Sequence, residues 1–247
     1  MIESERVSFS PDLVYALSLA DEADVLTMQR YRALDLAVET KADLTPVTEA
    51  DRAVEQALRA RIAGERGDAV AGEEYGIEDG DVRWWLDPID GTKQYARGIP
   101  IWATLIALER SGETVVAVVS APALGHRWWA ERGGGAFLDG ASIRVSRVTR
   151  LEDAYVSTTS LRRFPKFAEL AKRVAVARTY TDFWQYMLVA EGRIEAGSDT
   201  VMNPWDVAAP RLIVEEAGGR FSEDPGLYLF SNGFLHDEIR ESLLSRP

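Results

Sequence analysis

Nine consecutive residues, Trp84-Trp85-Leu86-Asp87-Pro88-Ile89-Asp90-Gly91-Thr92, constrain this chain more than any other stretch. Residues 83–86 read as an apolar strand that ends on a carboxylate, Asp87. Pro88 lacks the N–H a sheet ladder needs, and the pairing is expected to stop there. A second carboxylate, Asp90, follows three residues later, and Gly91 permits a sharp turn. Burying the strand therefore presents two acidic side chains at its mouth. The bland alternative is an Asx-type turn in which Asp and Gly serve geometry alone.

The surroundings of that strand point to mixed layers of helix and sheet. Leu13, Ala16, Leu17, Ala20 and Ala23 recur at three- and four-residue spacing and predict a helix over 11–36. A polar stretch follows, and a second helix is expected to begin at Thr48, with Val54, Leu58 and Ile62 on one face and glycines at 64 and 67 to end it. Residues 68–72 read as a short strand. The alternating runs between 104 and 139, broken by Ser111-Gly112, Pro122 and three consecutive glycines at 133–135, suggest antiparallel hairpins. The glycine triplet is a weak phosphate-loop candidate, since neither GxGxxG nor a GK[ST] ending is present. Short strands at 154–158 and 174–177 then alternate with helical segments at 167–173, 184–191 and 205–217. The expected class is α/β, in an α+β layered arrangement. No linker or repeat interrupts the chain, so a single domain over 1–247 is expected, with lobes of about 1–148 and 149–247.

Composition narrows the chemistry. The formal charge is −12, without a cluster of Lys and Arg, which argues against a nucleic-acid partner. No apolar run is long enough to cross a membrane, and the acidic, polar start MIESERVSFSPD does not resemble a secretory signal, so a cytoplasmic protein is expected. Cysteine is absent and histidine occurs twice, at His126 and His236, without ligand spacing. Thiolate chemistry is excluded, both histidines read as structural, and catalysis must rest on carboxylates, hydroxyls and metal ions.

Further acidic positions fall where local structure could aim them at the Asp87–Asp90 mouth. Glu73, in Gly72-Glu73-Glu74, follows a short strand, although an acidic pair before Tyr75-Gly76 also suits a solvated loop. Asp51 closes Thr48-Glu49-Ala50-Asp51, a capping-box pattern that also leaves a carboxylate fixed at a helix start. Asp206 lies in Asn203-Pro204-Trp205-Asp206, where the helix dipole alone would accommodate it. Pro210, however, leaves the Asp206 carbonyl without its helical partner. Oxygen donors of this kind suit magnesium, and a pair of ions about 3.5–4 Å apart suits phosphoryl transfer.

Taken together, Gly72-Glu73-Glu74, Asp87-Pro88-Ile89-Asp90-Gly91-Thr92 and Trp205-Asp206-Val207-Ala208-Ala209 resemble the inositol monophosphatase family of magnesium-dependent phosphatases, over nearly the whole chain. The resemblance implies an αβαβα sandwich, of the inositol monophosphatase and fructose-1,6-bisphosphatase type, and a homodimer. It implies two to three Mg2+ per site: Glu73, Asp87 and the Ile89 carbonyl around the first, Asp87, Asp90 and Asp206 around the second, and a weaker third near Glu73. Gly91 and Thr92 would bind the phosphate, and Asp51 would pair with Thr92 to activate a water for direct in-line attack.

Within the family the chain is most similar to the actinobacterial histidinol-phosphate phosphatases, on segments such as Lys41-Ala42-Asp43-Leu44-Thr45-Pro46-Val47-Thr48 and Gly98-Ile99-Pro100-Ile101-Trp102-Ala103. Many relatives place a Gly-Ser/Thr pair three residues after an Arg. Here Arg178-Thr179-Tyr180 is followed by Thr181-Asp182. Asp182 and Asp199, with Arg178, are the expected substrate-binding residues, because histidinol phosphate carries an ammonium and an imidazole that added negative charge would favour. Asp182 also suits a helix N-cap. Rival expectations are inositol-1-monophosphatase, or another sugar or nucleotide phosphatase of the family, and a non-catalytic module that binds metal or a phosphate ligand.

Overall fold

A computed structural model describes residues 9–41, 45–162 and 164–244. In chain order it begins with α1 (Pro11–Arg30), β1 (Val38–Thr40), β2 (Pro46–Thr48), α2 (Glu49–Glu65), β3 (Ala69–Gly72), β4 (Gly76–Ile77), β5 (Val82–Asp90) and α3 (Thr92–Ala96). A run of strands follows: β6 (Ala103–Arg110), β7 (Glu113–Ala121), β8 (His126–Glu131), β9 (Gly135–Leu138) and β10 (Ala141–Ile143). The remainder is β11 (Tyr155–Thr158), α4 (Pro165–Leu170), β12 (Val176–Arg178), α5 (Asp182–Ala190), β13 (Ala196–Asp199), α6 (Pro204–Glu216), β14 (Arg220–Asp224), β15 (Leu227–Ser231) and α7 (His236–Leu244).

Among the described residues, eight strands form one sheet in the order β10-β9-β8-β7-β6-β5-β3-β4, and five form a second in the order β12-β11-β13-β15-β14. Period-two alternation along β5 decides what lies on either side of the first sheet. Trp84 and Leu86 pack with Leu13, Leu19, Val54, Leu58 and Ile62 of α1 and α2. Trp85 points the other way, into a core shared with Phe183 and Met187 of α5, Ala209 and Leu212 of α6, and Phe230 of β15. Helix α6 touches strands of both sheets, and α4 and α7 cover the outer face of the second. The layers are helix, sheet, helix, sheet, helix, the expected αβαβα sandwich.

Several element boundaries differ from the sequence reading. Helix α1 stops at Arg30 rather than 36, because Tyr31 is extended and Arg32 is left-handed at φ 62°. Tyr31 leaves the helix to pack against Tyr95 and Trp102, and its hydroxyl donates to the Gly98 carbonyl at 2.7 Å. Strand β5 runs through Pro88 to Asp90. The ladder to β6 pairs Asp87 with Leu105 and next pairs Asp90 with Ala103, so Pro88 falls where no N–H is needed. The glycines at 133–135 form the β8–β9 hairpin, and the N–H groups of Gly133 and Gly135 hold the Glu216 carboxylate at 2.9 Å each. No described helix is long and apolar enough to cross a membrane.

Candidate active site

Parallel pairing of β3 with β5, Gly72 opposite Leu86, brings the two strand ends together. The Glu73 N–H donates to the Leu86 carbonyl at 3.3 Å, so the turn carrying Glu73 starts beside Asp87. Buried Glu55 of α2 shapes that turn. Its carboxylate accepts from the N–H groups of Glu74 at 2.7 Å and Tyr75 at 3.1 Å. A Cβ at position 72 would fall 2.2 Å from Glu55 Oε1, so any larger residue there would displace the carboxylate that holds the turn.

On β5, Asp87 is buried, and its Oδ1 accepts from the Ile89 N–H at 3.0 Å. Asp90 Oδ2 accepts from the Phe183 N–H of α5 at 2.5 Å, which joins the first sheet to the helix layer. Asp206 Oδ2 accepts from the Asn203 N–H at 2.7 Å, holding it at the start of α6. Gly91 is left-handed at φ 91°, and α3 begins after it without a side-chain cap.

Asp51 divides its two oxygens between two tasks. Oδ2 accepts from the Thr48 N–H at 2.7 Å and the Thr48 hydroxyl at 2.5 Å, the capping box expected at α2. Oδ1 lies 3.3 Å from Thr92 Oγ1, which is also 3.0 Å from the Ile89 carbonyl oxygen.

A cavity of about 240 Å³ is lined by Glu73, Asp87, Ile89, Asp90, Gly91, Thr92, Asp182, Asp199 and Asp206, among others. Arg178 is absent from this lining. It lies exposed on β12, its guanidinium donating to the Ala177 carbonyl at 2.8 Å. A larger cleft of about 390 Å³ lies beyond Asn203, between α6 and strands β6 and β7. Its arginines, Arg132 and Arg211, are both committed to Glu215, so the smaller, acidic cavity is the candidate site.

Similarity to known proteins agrees with that placement. A sequence model described as the inositol monophosphatase family matches residues 10–231. The chain belongs to the inositol monophosphatase family. Proteins named histidinol-phosphatase from Streptomyces coelicolor and Mycobacterium tuberculosis are each 46% identical to it across 92% of this chain, covering 95% and 96% of their own lengths. A solved IMPase of Thermotoga maritima superposes with a TM-score of 0.88 at 32% identity, over 95% of this chain and 97% of that one.

The electrostatics of this family member's cavity are lopsided. Burial, then the neighbouring Glu73, Asp90 and Asp206, pushes Asp87 well above the usual carboxylate range. Asp90 is driven the same way by burial and by Asp182 and Asp206. Asp206 is pushed up to about 7 by burial, with Glu73 adding to it against the relief of the Asn203 N–H. Asp51 rises to about 6, chiefly by burial. Among the described residues no ion pair reaches Asp87, Asp90 or Asp206.

A set of hard oxygen donors whose charges repel one another, with no ion pair among the described residues at Asp87, Asp90 or Asp206, suits divalent cations. The donor chemistry therefore fits the metals the family resemblance implies. Among the described residues no three His, Cys, Asp or Glu side chains are gathered so as to hold one ion. Asp90 and Asp206 each rest on a backbone N–H, and Glu73 is bound to the Lys41 ammonium at 2.7 Å, which also reaches Glu74 at 2.5 Å.

Lys41, like Glu55, is a residue to which the sequence reading assigned no role. Another is Gln94 of α3, whose amide meets Asp182 at 2.5 Å. The signal for Lys41 was an isolated cation just after β1. For Gln94 it was an amide two residues past Thr92, and neither carries weight without its distant partner.

Proposed function

We propose that this enzyme, a phosphoric monoester hydrolase, hydrolyses histidinol phosphate to histidinol and inorganic phosphate with the help of magnesium. The carrying observation is one cavity lined both by the Gly91-Thr92 turn and by two carboxylates, Asp182 and Asp199, additional to the Glu73, Asp87, Asp90 and Asp206 set. The first feature suits a phosphate and the second an organic cation, and a phosphomonoester with an ammonium and an imidazole has both. The names of the two 46%-identical relatives favour the same substrate.

Glu73, Asp87, Asp90, Asp206 and the Ile89 carbonyl would hold two to three Mg2+. Bound there, magnesium would supply Lewis acidity and positive charge for the oxygens of the transferring phosphoryl group. The chain's own residues do the rest. The backbone N–H groups at the start of α3 orient the phosphate, and the left-handed Gly91 lets that backbone approach closely. Thr92 Oγ1 orients a water, and Asp51 Oδ1 takes up its proton. With its pKa pushed up to about 6, Asp51 is a better base near neutral pH than an ordinary aspartate. The water oxygen bonds to phosphorus, the ester P–O bond breaks, and the departing alkoxide is protonated from solvent. Asp182 and Asp199 hold the cationic leaving group. Arg178, exposed on β12, is left without a role in this scheme.

Phosphate release from histidinol phosphate, inositol 1-phosphate and fructose 1,6-bisphosphate, with and without magnesium, tests the proposal. Histidinol phosphate is expected to have the highest kcat/KM, and a chelator is expected to abolish turnover of all three. Much faster release from inositol phosphate would put inositol monophosphatase in its place. Magnesium binding without turnover of any phosphoester would favour the non-catalytic module. A homodimer belongs to the proposal on the strength of the family resemblance, and sedimentation is expected to give twice 27.4 kDa.

A further inference from the structure

Helix α3 carries more than the phosphate-facing turn. Gln94, two residues past Thr92, reaches across the cavity wall to a segment 87 and 88 positions later. Its side-chain nitrogen lies 3.1 Å from Thr181 Oγ1 and 2.5 Å from Asp182 Oδ2. An ionised carboxylate only accepts hydrogen bonds, so the end of the amide that faces it is the NH2 group. The Thr181 hydroxyl donates to the same Oδ2 at 2.5 Å. Two donors thus occupy one oxygen of Asp182, while no hydrogen bond among the described residues reaches Oδ1. Asp182 holds a left-handed backbone at φ 54°, and the next N–H, of Phe183, is fixed on Asp90. The segment is pinned on both sides, with Asp182 on the cavity lining.

We propose that Gln94 is a positioning residue for substrate choice: it clamps Asp182 Oδ2 so that Oδ1 stays free to accept from a cationic group on the leaving alcohol. A neutral amide suits this task. It orients the carboxylate without cancelling its charge, as a lysine would, or repelling it, as a glutamate would. The inference rests on the reading of Asp182 as a substrate contact. It ties the phosphate-binding helix, five residues long, to the carboxylate that recognises the organic half.

The test compares kcat/KM for histidinol phosphate and for glycerol 2-phosphate, which has no cation, in the full-length enzyme with magnesium. The proteins are wild type, Gln94→Met, Gln94→Glu, Asp182→Asn and Gln94→Met with Asp182→Asn. In Gln94→Met the ratio of the two values is expected to fall about tenfold, the effect of losing one hydrogen bond to a charged group, and mainly through KM. Gln94→Glu, nearly the same shape, is expected to lose selectivity as well. In the Asp182→Asn background the Met substitution is expected to change the ratio no further. A fall of equal size on both substrates, selectivity retained in Gln94→Glu, or an undiminished effect without the Asp182 charge overturns the role of Gln94 alone. A wild type that does not prefer the cationic ester overturns the substrate reading and this inference with it.

Discussion

Among the described residues Asp90 has one hydrogen-bond donor, the Phe183 N–H, and it faces Asp182, Asp206 and Glu73 as like charges. Asn keeps the size of Asp and can still accept from that N–H, but gives up the charge a divalent ion requires. Asp90→Asn is therefore expected to lower phosphate release by roughly a hundredfold or more, while the thermal midpoint of the metal-free protein holds or rises slightly. Turnover near the wild-type value would end the metal assignment at this position. Asp90 and Asp87 were legible because their meaning is local: an apolar strand, a proline and two carboxylates within one short string. Lys41 and Gln94 were not, since their partners Glu73 and Asp182 lie 32 and 88 positions away. A side chain that gains its role from a contact across the fold leaves no period and no spacing to read. Arg178 shows the converse, because placement by analogy of spacing put it at the substrate, whereas β12 carries it to an exposed edge.

Elements that repeat over several turns or alternate over a long strand were readable, as α2 and the hairpins of β6 to β9 illustrate. The three-residue strands β1 and β2 pair with each other and, among the described residues, with no other strand, where the sequence presents a polar stretch over 39–46. Three residues carry too little alternation to reveal a strand. The end of α1 was misplaced because a tertiary contact, Tyr31 against Tyr95 and Trp102, outweighs the helix propensity of residues 31–36. Helix α3 offers a sharper test of how an element is anchored. A Cβ on Gly91 would sit 2.9 Å from the Ile101 carbonyl oxygen and 3.3 Å from Trp102 Cα, besides its left-handed backbone. Gly226 shares the left-handed conformation at φ 76° but has open space around it. Each Gly→Ala substitution carries a conformational cost of about 1–2 kcal/mol, and only Gly91→Ala adds the clash. Gly91→Ala is expected to lower the thermal midpoint further than Gly226→Ala and, alone of the two, to reduce kcat/KM strongly. Equal midpoints for the two variants would show that the close approach at Trp102 does not constrain α3.

At the scale of the molecule, α6 packs on both sheets through one continuous core. That packing supports the proposal of a single domain, and one calorimetric transition is expected rather than two. The layer order was expected from the family resemblance, whereas the pairing of the second sheet, with β11 between β12 and β13, had no sequence signature. Stability as a function of pH is also a property of the whole, and His236 makes one part of it separable. Buried at the start of α7, its ring nitrogens meet Ser231 Oγ at 2.8 Å and Ser222 Oγ at 2.9 Å. Burial foremost, then Arg220 and Arg240 against the opposing Asp237 and Asp224, lowers its pKa to about 4.

The unfolded chain titrates this group near 6.5. Between those values the unfolded state binds the proton and the folded state does not. The contribution of His236 is therefore complete above pH 6.5 and is lost as pH falls toward 4. Carboxylates of the cavity, whose pKa values are raised, act in the opposite direction, so the wild-type curve alone is ambiguous. The difference between wild type and His236→Gln removes them, since both proteins carry the same cavity. In urea titrations the variant is expected to be the less stable at pH 7.5, with the gap narrowing by about 2 kcal/mol at pH 5. A gap that stays constant between the two pH values would mean that the imidazole is not held neutral between the two serines, and that burial at the α7 start is relieved by a proton after all.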